Sequence, residues 1–257
     1  MNARTQYRTE AIVLRLMDYG ESDRIVTFYT AAYGKVRGIA KGAKRSRKRF
    51  ANALEPFSCS RLLFSRRGAE GLALIEGSDV TCHFAAIRTD LEKTMTASCL
   101  IDLTDQFTEE DKRNEPLFGL LHDFLQLLEK GPSTESLLRF FEIRLLKLSG
   151  YDPVLDRCLA CKSPVSPEKS YRFHAAGGGL LCNACRLESP DAIPISLGTI
   201  RTLAMGRELP IDRLGRLVLS VQSSDESRLI LGRFVHHILG RELKSFHVFN
   251  EVRRLGI

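Results

Sequence analysis

Two Cys-x-x-Cys pairs, Cys158-Leu-Ala-Cys161 and Cys182-Asn-Ala-Cys185, stand twenty residues apart in this chain, and no other feature limits its folding so sharply. A two-residue spacing lets both thiolates of a pair face one point from a tight turn. Two such knuckles supply the four tetrahedral sulfur ligands that Zn²⁺ prefers. Between them, Ser170-Tyr-Arg-Phe173 and Gly178-Gly-Leu-Leu181 read as a short hairpin, as in a zinc ribbon. Two disulfides would be unstable in a reducing cytosol. An iron–sulfur cluster fits two separated knuckles less well than zinc does. A thioredoxin-like redox pair needs a βαβ context that is absent, and a deaminase zinc needs an upstream His-x-Glu that does not occur. Four thiolates close the shell, so the expected cofactor is one structural zinc. His174 is the nearest histidine, but the metal is already satisfied; His236 and His237 are expected to be surface or packing residues.

The other three cysteines, Cys59, Cys82 and Cys99, stand alone in apolar or mixed segments. An odd count in 257 residues does not resemble a secreted disulfide framework, and these read as small reduced residues in or near the core. No stretch approaches the roughly 18 apolar residues of a membrane span. The N-terminal residues meet charges too early for a secretory signal, so a cytoplasmic location is expected. There is no phosphate-binding Gly-x-x-x-x-Gly-Lys-Ser/Thr loop, and Gly177-Gly-Gly179 lacks the Lys-Ser/Thr that such a loop requires. Gly-x-Ser-x-Gly, His-Glu-x-x-His and metal-nuclease carboxylate clusters are also missing, and the expectation is a binding protein rather than an enzyme.

The net charge of +7 is confined to one third of the chain. Residues 1–80 carry fifteen basic and eight acidic side chains, a net of +7, while the other 177 carry twenty-three of each. From Lys35 to Arg49 the chain reads KVRGIAKGAKRSRKR, with eight cations and no acid. Such a bias attracts polyanions, of which nucleic acid is the commonest in the cytosol. A solvated loop is the plainer reading, but three details favour nucleic acid. The run follows a strand in a candidate barrel, where loops border the ligand face. Gly38 and Gly42 allow the backbone near phosphates. Phe28, Tyr29, Tyr33 and Phe50 lie close enough in sequence to offer stacking surfaces, although aromatics in strands this apolar are mostly core. Candidate DNA contacts are therefore Lys35, Arg37, Lys41, Lys44, Arg45, Arg47, Lys48 and Arg49, with Arg66 and Arg67 in the next turn.

Five short β-prone runs occupy the first 80 residues: 11–17, 24–29, 36–40, 57–64 and 72–75, separated by Gly-bearing turns. This spacing predicts a small closed barrel, of which the oligonucleotide-binding (OB) fold is the obvious example; an SH3-like barrel has the same periodicity. Helical periods follow. Residues 84–107 predict a helix or helix pair, Asn114-Glu-Pro116 opens a second segment ending at Gly131-Pro132, and Ser133 caps a third. In the last, Leu137, Phe141, Leu145 and Leu148 form one buried stripe that Gly150 closes. Residues 200–205 and 227–239 are helical again. The expected class is α+β multidomain: an OB-fold barrel over 1–80, then a helical domain over 81–257 interrupted by a Cys₄ module at about 156–189.

The order of these features carries a resemblance. DYGESDRIVTFYTAAYGKVRGIAKGAKRSRKRF followed by ALEPFS, then LSGYDPVLDRCLACK, GGGLLCNAC and FVHHILGRELKSFHVFNEV, together resemble the RecO family of recombination mediators over nearly the whole chain. The resemblance implies an OB-fold N-terminal domain, a helical domain and a zinc module that supports folding. It implies binding to single- and double-stranded DNA and annealing of complementary strands. It also implies RecR as a partner in loading RecA onto DNA coated by single-stranded-DNA-binding protein (SSB), and docking of SSB's acidic C-terminal tail. The alternative is a zinc-ribbon RNA-binding or transcription-associated factor, which would use the same barrel and knuckles.

Overall fold

The computed structural model describes residues 5–46, 49–50, 52–66, 71–188 and 191–255. They form two compact units, Met1–Lys130 and Gly131–Ile257. The barrel strands end at Cys82, and the compact unit they belong to continues through further helices to Lys130, past the boundary at residue 80 read from the sequence.

The barrel consists of β1 (Thr5–Tyr19), β2 (Asp23–Thr30), β3 (Gly34–Ala40), β4 (Cys59–Arg66) and β5 (Ala73–Cys82), closed in the order β1-β2-β3-β5-β4. This is the order of the OB fold, which strand periodicity alone could not separate from other small barrels. β1 is longer than the apolar run at 11–17 because it serves two partners. Its first half pairs with β4 and its second half with β2, and it bends at an irregularity between Val13 and Arg15. Alternate inward residues, among them Val13, Val26, Phe28, Val36, Leu62, Phe64 and Ile75, fill the interior. The barrel closes through a short parallel pairing, Gly38 with Ala73 and Ile39 with Leu74. A Cβ on Gly38 would lie 2.4 Å from the Ile75 side chain and 2.9 Å from the Ala73 carbonyl. Gly38 is therefore required by strand closure, not by approach to phosphates as the sequence suggested.

Three helices complete this unit: α1 (Ala85–Thr89), α2 (Leu91–Phe107) and α3 (Glu115–Lys130). Asp90 caps α2 by accepting from the Lys93 amide, and Asn114 caps α3 by accepting from Leu117. Glu129 of α3 accepts from the free amides of Ala86 and Ile87 at the start of α1, both at 3.0 Å. α2 is tied to the barrel by charge: Arg15 reaches Asp102 and Asp105, and Lys35 reaches Asp105.

The second unit contains α4 (Glu135–Leu148), a four-stranded sheet, α5 (Leu197–Glu208), α6 (Ile211–Leu214), α7 (Val221–Leu239) and α8 (Lys244–Leu255). α4 is capped by Thr134, which accepts from the Leu137 amide, one residue later than the expected Ser133. Leu137, Phe141 and Leu145 of the predicted stripe are buried and Leu148 is half-buried, but Leu138, Phe140, Ile143 and Leu146 are buried as well, so α4 is enclosed on nearly all sides. Enclosure extends to charge. Arg139 is 1% exposed and lies 3.1 Å from Glu135 and 2.7 Å from Glu142, contacts that are close ion pairs rather than well-aligned hydrogen bonds. Burial pushes the Glu142 carboxyl up to about 7 while Arg139 pulls it down. α5 and α7 both pack on α4. Among the described residues no helix is long and apolar enough to cross a membrane.

Removing one member of such a triad leaves buried charge without compensation. Arg139→Ala is expected to lower the stability of the full chain by roughly 3–5 kcal/mol, read from the denaturant midpoint. A carboxyl raised above its unfolded value favours folding below the ordinary carboxylate range, and that contribution is lost as pH rises through about 7. The deficit should therefore be smaller at about pH 6 than at about pH 8.

Candidate metal centre and nucleic-acid interface

The four-cysteine module is built on strand ends. β6 (Val154–Cys158), β8 (Gly179–Cys182), β7 (Tyr171–His174) and β9 (Ile193–Ile195) pair in that order, and the β7–β8 hairpin falls within a residue of its predicted place. Cys158 ends β6 and Cys182 ends β8, while Cys161 lies in the turn after β6 and Cys185 in the 3-10 turn Asn183–Glu188. All four ligand atoms lie within 4.8 Å of one another. Cys161 Sγ and Cys182 Sγ are 3.8 Å apart, matching the edge of about 3.8 Å expected for a sulfur tetrahedron with bonds of about 2.3 Å. The Cys182 amide donates to Cys158 Sγ at 3.4 Å.

The electrostatics of the cluster fit a cation. Burial raises the Cys158 thiol, but amides of Cys182, Cys161 and Ala160 outweigh it and hold it below its ordinary value. Cys161 is held down to about 6, first by the Ser163 hydroxyl and then by the Ser163 amide. Cys185 is pushed up to about 12, because it must donate its proton to Cys182 and Cys161. Four sulfurs this close cannot all be anionic without a positive charge among them, which a bound metal ion would supply. Among the described residues His174 lies outside this group of possible ligands.

The basic segment divides into residues held by the protein and residues presented to solvent. Lys35 is engaged internally: its Nζ donates to the Asp105 carbonyl at 2.7 Å and to Asp105 Oδ1 at 3.2 Å. Arg37 faces Glu110 at 3.8 Å. Residues 41–46 form successive turns after β3, with amides of Ala43, Arg45 and Ser46 donating to carbonyls three residues back. Asp23, the first residue of β2, accepts from the Gly42 amide at 2.8 Å. That bond, then the Ser22 hydroxyl, holds the Asp23 carboxyl below its usual range. Gly42 has φ +68°, so here the glycine is needed for a left-handed turn. Lys44 Nζ reaches the Gly20 carbonyl at 3.0 Å and Asp18 at 3.2 Å. Arg49 donates to the Lys41 carbonyl at 3.0 Å and lies 5.2 Å from the Phe50 ring. Among the described residues Lys41 and Arg45 make no ion pair, and both are exposed. Arg66 lies at the end of β4, half-buried, 2.6 Å from Asp111. Arg47, Lys48 and Arg67 lie outside the described residues.

Lys41, Lys44, Arg45 and Arg49 are thus brought together beside the β1–β2 turn, whereas Lys35 and Arg66 sit in pairs elsewhere on the unit. Phe28, Tyr29 and Phe50 are buried, and only Tyr33 of the four expected stacking residues is partly open. Two features escaped the sequence. Nothing in a lone Asp23 signals that it clamps the basic turn, and Tyr7 precedes the apolar run by which β1 was recognised.

An OB barrel with a basic loop, joined to a helical unit containing a four-cysteine module able to hold a metal ion, defines the architecture. Family models match both parts: "Recombination protein O N terminal" over residues 1–84 and "Recombination protein O C terminal" over residues 88–247. The chain belongs to the RecO family. It is 50% identical to DNA repair protein RecO of Syntrophus aciditrophicus, over 100% of both chains. It is 38% identical to that of Geobacter metallireducens, covering 95% of this chain and 97% of the other, and 30% identical to that of Halalkalibacterium halodurans, covering 97% and 96%.

Elemental analysis of purified protein is expected to find one metal ion per chain, and a Cys158→Ser/Cys182→Ser variant to lose it with a lower melting temperature. Lys35→Met is expected to cost about 1–3 kcal/mol of stability, seen in denaturant unfolding, while leaving DNA affinity within about twofold, because its ammonium serves Asp105.

Proposed function

We propose that this chain is a recombination mediator in DNA repair. It binds single- and double-stranded DNA without strong sequence preference and anneals complementary strands. With RecR, it helps load RecA onto SSB-coated single strands in the bacterial cytoplasm, at the nucleoid. The observation that carries the reading is the full-length match to DNA repair proteins of the RecO family, together with the cationic turns at residues 41–46 on an OB barrel. The partner assignments, including SSB's acidic tail, rest on family membership.

The chemistry is electrostatic and non-enzymatic. Lys41, Lys44, Arg45 and Arg49, extended in sequence by Arg47 and Lys48, screen phosphates of two strands at once. Arg37 and Arg67 border the same strands in sequence, while Lys35 and Arg66 support the scaffold. Lowering strand repulsion accelerates pairing without nucleotide hydrolysis. The metal is structural zinc held by Cys158, Cys161, Cys182 and Cys185; when bound it supplies a cross-link between β6 and β8 and no open coordination position.

The test is strand annealing on SSB-coated DNA with wild type and a Lys41→Ala/Lys44→Ala/Arg45→Ala/Arg49→Ala variant. Annealing should slow by at least about tenfold, and the log–log salt slope of single-strand binding should shrink by about 0.7 per lost contact. Unchanged annealing by a folded variant would remove the basic loop from the mechanism. Preference for a structured RNA over DNA would turn the assignment to the RNA-binding alternative.

A further inference from the structure

Away from the basic loop, the barrel end that carries the β2–β3 turn opens into a cavity of about 300 Å³ lined by Tyr7, Ala32, Tyr33, Phe64, Arg66, Asp111 and Arg113. Tyr7 and Phe64 face each other across β1 and β4 and stack, with centroids 5.1 Å apart and planes at 22°. Tyr33 stands edge-on to both, at 5.2 Å from Tyr7 and 5.6 Å from Phe64. Phe64 is buried, but Tyr7 and Tyr33 are partly exposed. The Arg66 guanidinium lies 5.8 Å from the Phe64 centroid and is fixed by Asp111 at 2.6 Å. Arg113, at the rim, is paired with Glu115 at 2.6 Å.

We propose that this cavity takes one unstacked nucleobase of a single-stranded DNA, whose backbone is held by the basic loop. This rests on the DNA-binding reading above and adds to it a base-recognising site. A base is planar and extends the Phe64–Tyr7 stack through its own π-face. Its edge carries donors and acceptors, which the guanidinium of Arg66 and the carboxylate of Asp111 complement. A bare phosphate finds no match, because both arginines are already neutralised by carboxylates and Asp111 forms part of the wall. A base within a duplex keeps its faces stacked on its neighbours and must be extruded before entering. The cavity therefore selects unpaired strands, a distinction that phosphate contacts alone do not make. It also releases its base when a complementary strand arrives, so annealing itself lowers the grip on the product.

The spacing sets a length requirement. β3 runs for seven residues from Gly34, beside Tyr33, to Ala40, beside Lys41. At about 3.3 Å per residue this is roughly 23 Å, so the bound strand must be several nucleotides long to reach both places.

The experiment uses the full chain and three probes of about fifteen nucleotides, within the range of roughly 4–16 that one OB fold occupies: oligo-dT, an abasic deoxyribose-phosphate strand of equal length, and a duplex. Wild type should prefer oligo-dT over the abasic strand by about tenfold. Tyr7→Leu/Tyr33→Leu should bring the two affinities together and leave duplex affinity unchanged. A 2-aminopurine placed in the single strand should be quenched by wild type and not by the variant. Tyr33→Leu alone, in a partly open turn, provides the same comparison if the double variant does not fold. Equal wild-type affinity for oligo-dT and the abasic strand overturns the base site while leaving DNA binding intact. So does undiminished oligo-dT preference in a folded Leu variant. Absence of wild-type binding to all three probes at low salt overturns the DNA-binding reading as well.

Discussion

Barrel closure through the parallel β3–β5 pairing is the interaction from which the arrangement of the first unit follows. Two residue pairs, Gly38 with Ala73 and Ile39 with Leu74, join strands distant in sequence. The joint is tight enough that a single Cβ at Gly38 would collide with Ile75. Once closed, the barrel gathers distinct sets of side chains at its two ends. At one, Asp18 near the end of β1 and Asp23 at the start of β2 hold the cationic turns that follow β3. At the other, the ends of β1 and β4 meet the β2–β3 turn and assemble Tyr7, Tyr33 and Phe64. A long bent β1 makes both possible, because one strand serves β4 and then β2.

The second unit depends on polar groups gathered in otherwise apolar surroundings. Cys158 and Cys182 are buried at strand ends, and as thiolates their sulfurs would need a cation among them, which the four-cysteine cluster is able to hold. Arg139 and Glu142 are buried on α4 and neutralise each other. Both arrangements follow one rule: charge is tolerated inside a protein only when paired, and the pairing then dictates how neighbouring elements meet. Zinc in the module would fasten β6 to β8 across a small sheet whose own core is modest. The ion pairs within α4 let a helix enclosed on most sides contain charged residues at all.

Much of this was readable from residue spacing. The Cys-x-x-Cys pairs, the β7–β8 hairpin, the five strand positions and the α4 stripe are all local periodicities, and each appeared where expected. β6, β9 and α8 were not legible, since they are short or polar and owe their form to neighbours. The outer half of β1 was missed for the same reason: residues 5–10 have mixed polarity and become strand only because β4 lies alongside. Among the cations, charge alone ranked Lys35 and Arg45 equally. Asp105, seventy residues from Lys35, separates them by taking one of the two.

By itself the sequence determined the kinds of chemistry present: four thiolates at metal-binding spacing, a concentrated positive run, and strand then helix periods in an order characteristic of one family. These are properties of near neighbours in the chain, and near neighbours are what a sequence displays. Only the tertiary structure decided which cations remain free, why Gly38 must be glycine, that Arg139 and Glu142 neutralise each other inside the protein, and that Tyr7 meets Tyr33 and Phe64 around one cavity. Each of these depends on a contact between distant residues or on burial by other elements. Such contacts exist only after the chain has closed on itself.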